Sequence, residues 1–381
     1  MSPGVVPRHG DEIPLAADMS RPRSRNLRNV FGPDLREWRL SPVDTGRSAL
    51  HHAHMAVPTR TIELPVPDVA TRRRRSRRLA DAYLIAADAP ATVRAYTADW
   101  THFARWCRGR GVKPMPATPS LVGEYLADLG EGYAKATLRR KVAAISRACR
   151  LAGQPLDTRH PAIRDVLRGI NRTHGAPAKR AQALDIDDLQ KLVATCEDGL
   201  AGLRDRALLL LTFAGALRRS ELCALEVEHL TWKPRSLELL LPRSKTDQDG
   251  EGARIGIPRG KNEDTCPVRA LRVWLEAGRI ERGPVFRAIT RHGTPRSRAL
   301  SGEAVRLIVV RRAKLAGIKA TRLEPISPHG LRAGFVTTAY RNGVPDEEIM
   351  GHSRHRSLTV MRSYVRRSKL SQASPAGKVG L

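Results

Sequence analysis

The sequence predicts a mainly helical α+β protein with one small β-hairpin sheet, built as a helical domain followed by a larger mixed domain. Three observations predict it. Apolar residues recur at helical spacing through most of the chain after Pro90, only residues 236–242 and 253–258 read as strands, and residues 171–180 carry Gly, Pro and three basic residues without any apolar period. At 381 residues the chain can bury a sizeable core without disulfides or metals.

Taken in order, residues 1–76 hold scattered arginines and many prolines with no sustained period. Such a segment cannot offset the entropy of ordering by burying a face, and disorder is expected there. It closes on the run from Arg72 to Arg78, which reads either as a solvated charge run or as a phosphate-binding arm. Val93, Tyr96, Trp100, Phe103 and Cys107 then mark an amphipathic helix with Thr92 placed as its cap. A second helix runs from Ser120 through Leu121, Tyr125, Leu126 and Leu129. A third carries Leu138, Val142, Ile145 and Cys149, with Arg139, Arg140, Lys141, Arg147 and Arg150 on its other face, and a fourth starts at Pro161. Residues 77–172 form the helical unit and 173–183 the linker. The second domain, 184–371, opens with helices around 189–196 and 205–216, passes through the two strands and returns to helices from Pro267. A short tail, 372–381, follows.

Composition narrows the partner. Sixty-seven Lys and Arg against 38 Asp and Glu give a net charge of +29 and a pI near 11.1, which self-repels unless a polyanion is the working partner. Residues 1–80 account for +7 of this charge and residues 81–381 for +22, so most of it falls on the expected folded part. The five cysteines, Cys107, Cys149, Cys196, Cys223 and Cys266, never form a C-x-x-C pair, which suits a reducing compartment. The longest apolar run, 207–217, is about half the ~20 residues a membrane span needs, and no apolar signal core opens the chain. A soluble, cytoplasmic protein is expected.

Basic and hydroxyl residues of the second domain fall at spacings with a chemical meaning. Arg218-Arg219-Ser220-Glu221-Leu222 follows an apolar helix. Alone, an Arg and Glu three apart are more often a surface ion pair. Ser327-Pro328-His329-Gly330-Leu331-Arg332 places a capping Ser and an N1 Pro so that His329 and Arg332 share one face of a helix start, where backbone N–H groups attract anions. Downstream stand Gly351-His352 and His355-Arg356-Ser357, then Tyr364. Between the two strands sits Lys245, in a turn where lysines ordinarily only solubilise.

In this order the residues resemble the tyrosine recombinase (phage integrase) family. Arg218-x-x-Glu-Leu matches its first box and His329-x-x-Arg332 its second. Lys245 stands on the hairpin between them, and Tyr364 stands near the C-terminus. Of the two histidine candidates, His355 stands nine residues before Tyr364 and twenty-three after Arg332, the family's usual separations. His352 has the family's preceding glycine but stands twelve before, and is left as a helix-end or supporting residue. Residues 92–100 look like the opening of the family's SAM-like core-binding domain, so the resemblance spans roughly 77–370. Ala333 and Arg219 depart from the usual residues, and Arg354 replaces the usual glycine before His355.

The resemblance implies an enzyme that cuts and rejoins double-stranded DNA through a 3′-phosphotyrosine at Tyr364, leaving a free 5′-hydroxyl. A free phenol, with pKa ~10, is a poor nucleophile at neutral pH, so the site must supply positive charge and a proton acceptor. Arg218 and Arg332 would clamp the scissile phosphate, Lys245 would act as general acid, His329 would assist proton transfer, and His355 would donate a hydrogen bond to the phosphate. No cofactor, metal or ATP is implied, nor a membrane or small-molecule substrate. A homotetramer on synapsed DNA is implied, although the tail is short for exchange between subunits. A type IB topoisomerase-like enzyme and a non-catalytic DNA-binding relative are the alternatives, and the DNA site stays open.

Overall fold

The computed structural model describes residues 69–242 and 252–372. Expectations for residues 1–68, for Lys245 and its turn, and for the tail from 373 onward lie outside the described residues. By contacts the chain divides into two compact units, Met1–Ala176 and Pro177–Leu381.

In the first unit, α1 (Val69–Ala86) takes in residues 69–76, which were expected within the disordered segment. Its described side chains are exposed. Among its described side chains none is buried, so no apolar period marks them and periodicity does not reveal the helix. The helices α2 (Pro90–Gly109), α3 (Pro119–Asp128), α4 (Lys135–Leu151) and α5 (Pro161–Thr173) follow. Trp100, Phe103 and Cys107 of α2 pack with Val122, Tyr125 and Leu126 of α3, with Leu138, Val142, Ile145 and Cys149 of α4, and with Ile163 of α5. Thr92 is not the cap of α2. That position is Ala89, because Pro90 already occupies the first helical turn. On α4, Arg139, Arg140 and Arg150 are exposed. Lys141 departs from the expected basic face: it is 3% exposed, pairs with Asp99 at 3.4 Å and lies over the Tyr133 ring. Thr173, expected to open the linker, completes α5.

The second unit begins with residues 180–184 tied into it by backbone. The amides of Arg180, Gln182 and Leu184 donate to the carbonyls of Leu323, Pro325 and Gly330. After α6 (Ile186–Ala194), helix α7 (Leu200–Ala214) has Ala207–Thr212 buried on every side, so an all-apolar run becomes a central helix and not a surface one. The short α8 (Arg219–Cys223) leads to a three-stranded antiparallel sheet, β1 (Leu230–Trp232), β2 (Ser236–Leu241) and β3 (Ala253–Pro258), in that spatial order. Leu237 pairs with Ile257 and Leu239 with Ile255, which fixes the register by putting the apolar alternate residues of both strands on the core face. The expected hairpin therefore has a third strand. A second, two-stranded sheet, β4 (Arg287–Ile289) with β5 (Pro295–Ala299), follows α9 (Pro267–Ala277).

Four helices complete the unit: α10 (Gly302–Leu315), α11 (Pro328–Arg341), α12 (Asp346–Ser353) and α13 (Leu358–Gln372). Leu331 of α11 joins the main core. Val336 faces the other way and packs with Ile349 of α12 and with Met361 and Val365 of α13. This small second core, its α13 residues one turn apart, carries Tyr364 against α11. All five cysteines are free. Among the described residues no helix is long and apolar enough to cross a membrane.

Candidate active site

Helix α7 ends in a tight turn. The Leu217 amide donates to the Thr212 carbonyl and the Ala216 amide to the Phe213 carbonyl, with Ala216 in the left-handed region at φ 43°. The six-to-one bond is the Schellman closure, here with Ala where Gly is favoured, at a cost on the order of 1 kcal/mol. That strain is held by two guanidinium groups. The Ala216 carbonyl accepts from Arg332 Nη1 at 2.5 Å and from Arg354 Nη2 at 3.0 Å.

Arg218 sits at the N-cap of α8, its side chain 17% exposed and its neighbour Glu221 1% exposed. Glu221 accepts from Arg218 Nη1 at 2.6 Å and from the Arg218 amide at 2.8 Å, while Arg218 Nη2 donates to the Arg354 carbonyl at 3.0 Å. Burial alone would push the Glu221 carboxyl up. Arg354 and the Arg218 bonds outweigh it and hold the group below its ordinary range. What reads in sequence as a surface ion pair is thus a buried bridge.

Arg332 is buried, one turn into α11. Burial first, then Arg218 and Arg354, pull its guanidinium down to about 9, which leaves it charged at neutral pH. Its Nη2 lies 3.3 Å from His355 Nε2. Ser327 does occupy the N-cap of α11, but its side chain makes no capping bond, contrary to expectation.

His355 lies between Arg332 and Ser353. The Ser353 hydroxyl donates its single proton to the Ile349 carbonyl at 2.5 Å, so its oxygen must accept from His355 Nδ1–H at 2.6 Å. The ring then presents an Nε2 lone pair to Arg332. Burial foremost, followed by Arg332 and Arg218, pushes the imidazole down to about 3, so it is neutral near pH 7. His352, the other candidate, faces elsewhere: its Nε2 donates to the Ala214 carbonyl at 2.7 Å, and its ring stacks on Phe335 at 4.8 Å.

Tyr364 is half-buried and His329 exposed. The Tyr364 hydroxyl stands 2.8 Å from His329 Nε2, and its ring is 5.8 Å from that of His355. His329 with Tyr364 and Arg332 with His355 meet directly, and Arg218 joins Arg332 through Arg354 and the Ala216 carbonyl. Chemically, two forks able to bind phosphate oxygens flank a phenol with a ring nitrogen placed to take its proton.

Two participants were missed. Ser353 carries no signal in the sequence that sets it apart. Arg354 was noted only as replacing a glycine, yet its φ of 58° and its bonds to Glu221, Ala216 and Gly215 make it the hub of the arginine cluster. A long cation at a helix C-terminus, where glycine is favoured, was the available signal.

Comparison with known proteins gives one consistent result. The model of the phage integrase family matches residues 182–370. The integrase/recombinase xerD homolog of Selenomonas ruminantium is 35% identical over 283 residues, covering 73% of this chain and 82% of its own. Tyrosine recombinase XerC of Mycobacterium leprae is 29% identical over 289 residues, covering 72% and 87%. Among solved structures, XerH site-specific recombinase bound to a palindromic difH substrate aligns with TM-score 0.55 at 17% identity, over 75% of this chain and 80% of that one. A lambda integrase dimer bound to a COC′ core site aligns with TM-score 0.51 at 19% identity, over 77% and 93%. At such identities the structural likeness speaks for the fold.

Proposed function

The chain belongs to the phage integrase family, and from that premise we propose that it is a site-specific tyrosine recombinase that cuts and rejoins double-stranded DNA with Tyr364 as nucleophile. The observation that carries this reading is the 2.8 Å contact between the Tyr364 hydroxyl and His329 Nε2, beside the Arg218–Arg332 cluster. In the tautomer that leaves Nε2 unprotonated, His329 accepts the phenol proton as the Tyr364 oxygen attacks phosphorus. The bond from phosphorus to the 5′ oxygen breaks, and that oxygen takes a proton from Lys245, assigned by the family pattern. The product is a 3′-phosphotyrosine and a 5′-hydroxyl. A 5′-hydroxyl from a second duplex reverses the steps.

Arg218 and Arg332 meet the non-bridging oxygens, where charge grows in the transition state. With Ser353 bonded to Ile349, His355 accepts from Arg332. Its hydrogen bond to the phosphate requires the other tautomer, with Ser353 turning its proton from Ile349 to Nδ1. Exchange between two duplexes uses four such sites, so the working species in this proposal is a homotetramer on synapsed DNA, acting in the cytoplasm.

The test is covalent capture. Nicked duplexes with a randomised core are incubated with the chain, linked DNA is recovered and sequenced, and the recovered site is rebuilt as a suicide substrate. The unaltered chain should form an adduct that maps to Tyr364, and Tyr364→Phe none. An adduct that persists in Tyr364→Phe, or the absence of any adduct, would refute the assignment. Relaxation of supercoiled plasmid without recombinant products would point instead to religation of the same strands.

A further inference from the structure

Arg354 occupies the position after α12 in the left-handed region, φ 58° and ψ 44°, where glycine is the favoured residue. It is an expensive choice in three ways. The backbone is strained, the side chain is only 10% exposed, and its Nε–H is buried without an acceptor. Burial, which outweighs the opposing effect of Glu221, also lowers the affinity of this guanidinium for its proton. None of these features favours stability.

Its contacts explain the choice. Nη1 donates to the His352 carbonyl at 2.7 Å and the Gly215 carbonyl at 3.2 Å, and Nη2 to the Ala216 carbonyl at 3.0 Å and Glu221 Oε2 at 2.9 Å. Both Nη2 contacts are shared with the phosphate clamp, and the backbone of Arg354 adds a third link to it. Glu221 also holds Arg218 Nη1, the Ala216 carbonyl also holds Arg332 Nη1, and the Arg354 carbonyl itself holds Arg218 Nη2. Arg218 is thereby gripped at both ends by groups that Arg354 fixes, and Arg332 at one.

We infer that Arg354 is a positioning residue that sets the angle between the Arg218 and Arg332 forks and so aims both at one phosphate. This rests on the recombinase reading above. Glycine in its place would relax the backbone and leave Glu221 held by Arg218 alone. Arg218 would then be free to follow the carboxylate, and the Ala216 carbonyl would lose one of two donors. Misaiming a fork by about 1 Å can cost on the order of 100-fold in rate.

The inference is tested with Arg354→Gly and Arg354→Lys on the suicide duplex recovered by the unaltered chain. Adduct formation by Arg354→Gly should fall about 30- to 100-fold with DNA affinity within about threefold, and Arg354→Lys, one donor point in place of a fork, should fall between it and the parent. A second duplex carries a methyl group in place of one non-bridging oxygen of the scissile phosphate, so the clamp has less charge to meet. There the Arg354→Gly loss should shrink to about threefold or less. Equal losses on both duplexes would mean a merely structural role and overturn the inference, as would Arg354→Gly and Arg354→Lys both matching the parent. If the unaltered chain forms no Tyr364 adduct, the recombinase reading falls and this inference with it, a result distinct from a variant that matches an active parent.

Discussion

Replacing Gly334 with alanine tests how the start of α11 is held, and the size of the effect follows from the structure. Residues 182–185 run in close backbone contact across α11, with the Leu184 amide bonded to the Gly330 carbonyl at 3.0 Å. A Cβ on Gly334 would lie 1.6 Å from the Leu184 carbonyl oxygen and 2.3 Å from its carbon, and one on Gly330 would lie 2.3 Å from the Gln182 oxygen. Both obstacles are backbone, so no side chain can swing aside. Helix and segment must part by about 1.4 Å before the contact reaches even 3.0 Å. Overpacking of this kind costs about 1–3 kcal/mol, and partial exposure of Leu184, which is fully buried, adds about 1 kcal/mol. At ~2–4 °C per kcal/mol, a total of about 2–4 kcal/mol should lower the melting temperature by roughly 4–16 °C. The same shift moves His329 and Arg332, both near the start of this helix, so adduct formation should fall by more than the melting loss explains. Thermal unfolding followed by circular dichroism reads the effect. Gly351→Ala is the control, since nothing lies within 4 Å of its Cβ and it should be neutral or slightly stabilising. A Gly334→Ala protein that melts within about 2 °C of the parent would refute the close approach.

Three further outcomes are expected. Arg312 is 1% exposed and pairs with Asp205 at 2.7 Å, while Asp205 also pairs with Arg204. Urea unfolding should therefore find Arg312→Met costing about 3 kcal/mol and Asp205→Ala about 4–5 kcal/mol, because the latter leaves Arg312 only the Thr195 carbonyl, with the double variant costing less than the sum; strict additivity would contradict the pairing. His355 binds its proton far more weakly folded, at about 3, than unfolded, at ~6.5. The unfolded chain thus takes up more protons below pH ~6.5, and stability present above that pH is lost as pH falls toward 3. The loss from pH 7 to pH 5 should be about 2 kcal/mol larger in the parent than in His355→Gln, and parallel curves would contradict it. Finally, raising salt from about 50 to 200 mM should weaken duplex binding by on the order of 1,000-fold through counterion release, and a flat profile would contradict the role given to the +29 charge.

The sequence by itself determined the helices that bury one face. Val93 to Cys107 and Val336 with Ala339 repeat at the helical period because half of each helix meets a core. It also determined the paired strands whose alternate leucines and isoleucines face inward, and the order of Arg218, His329, Arg332, His355 and Tyr364 along the chain. It could not reveal α1, whose described side chains are all exposed, nor β5, whose residues Pro295–Ala299 are mostly exposed and carry no alternation. Only the tertiary structure decided that Glu221 is shared by Arg218 and Arg354, that Lys141 is a core cation on Asp99, and that His352 turns away to the end of α7 while His355 faces Arg332. The physical reason is range. Periodicity reports what a residue meets within a turn or two of its own helix. The contacts that make the site join groups 35 residues apart at His329–Tyr364 and 136 apart at Arg218–Arg354. Their geometry depends on two residues, Ala216 and Arg354, held in a backbone conformation that neither residue type favours.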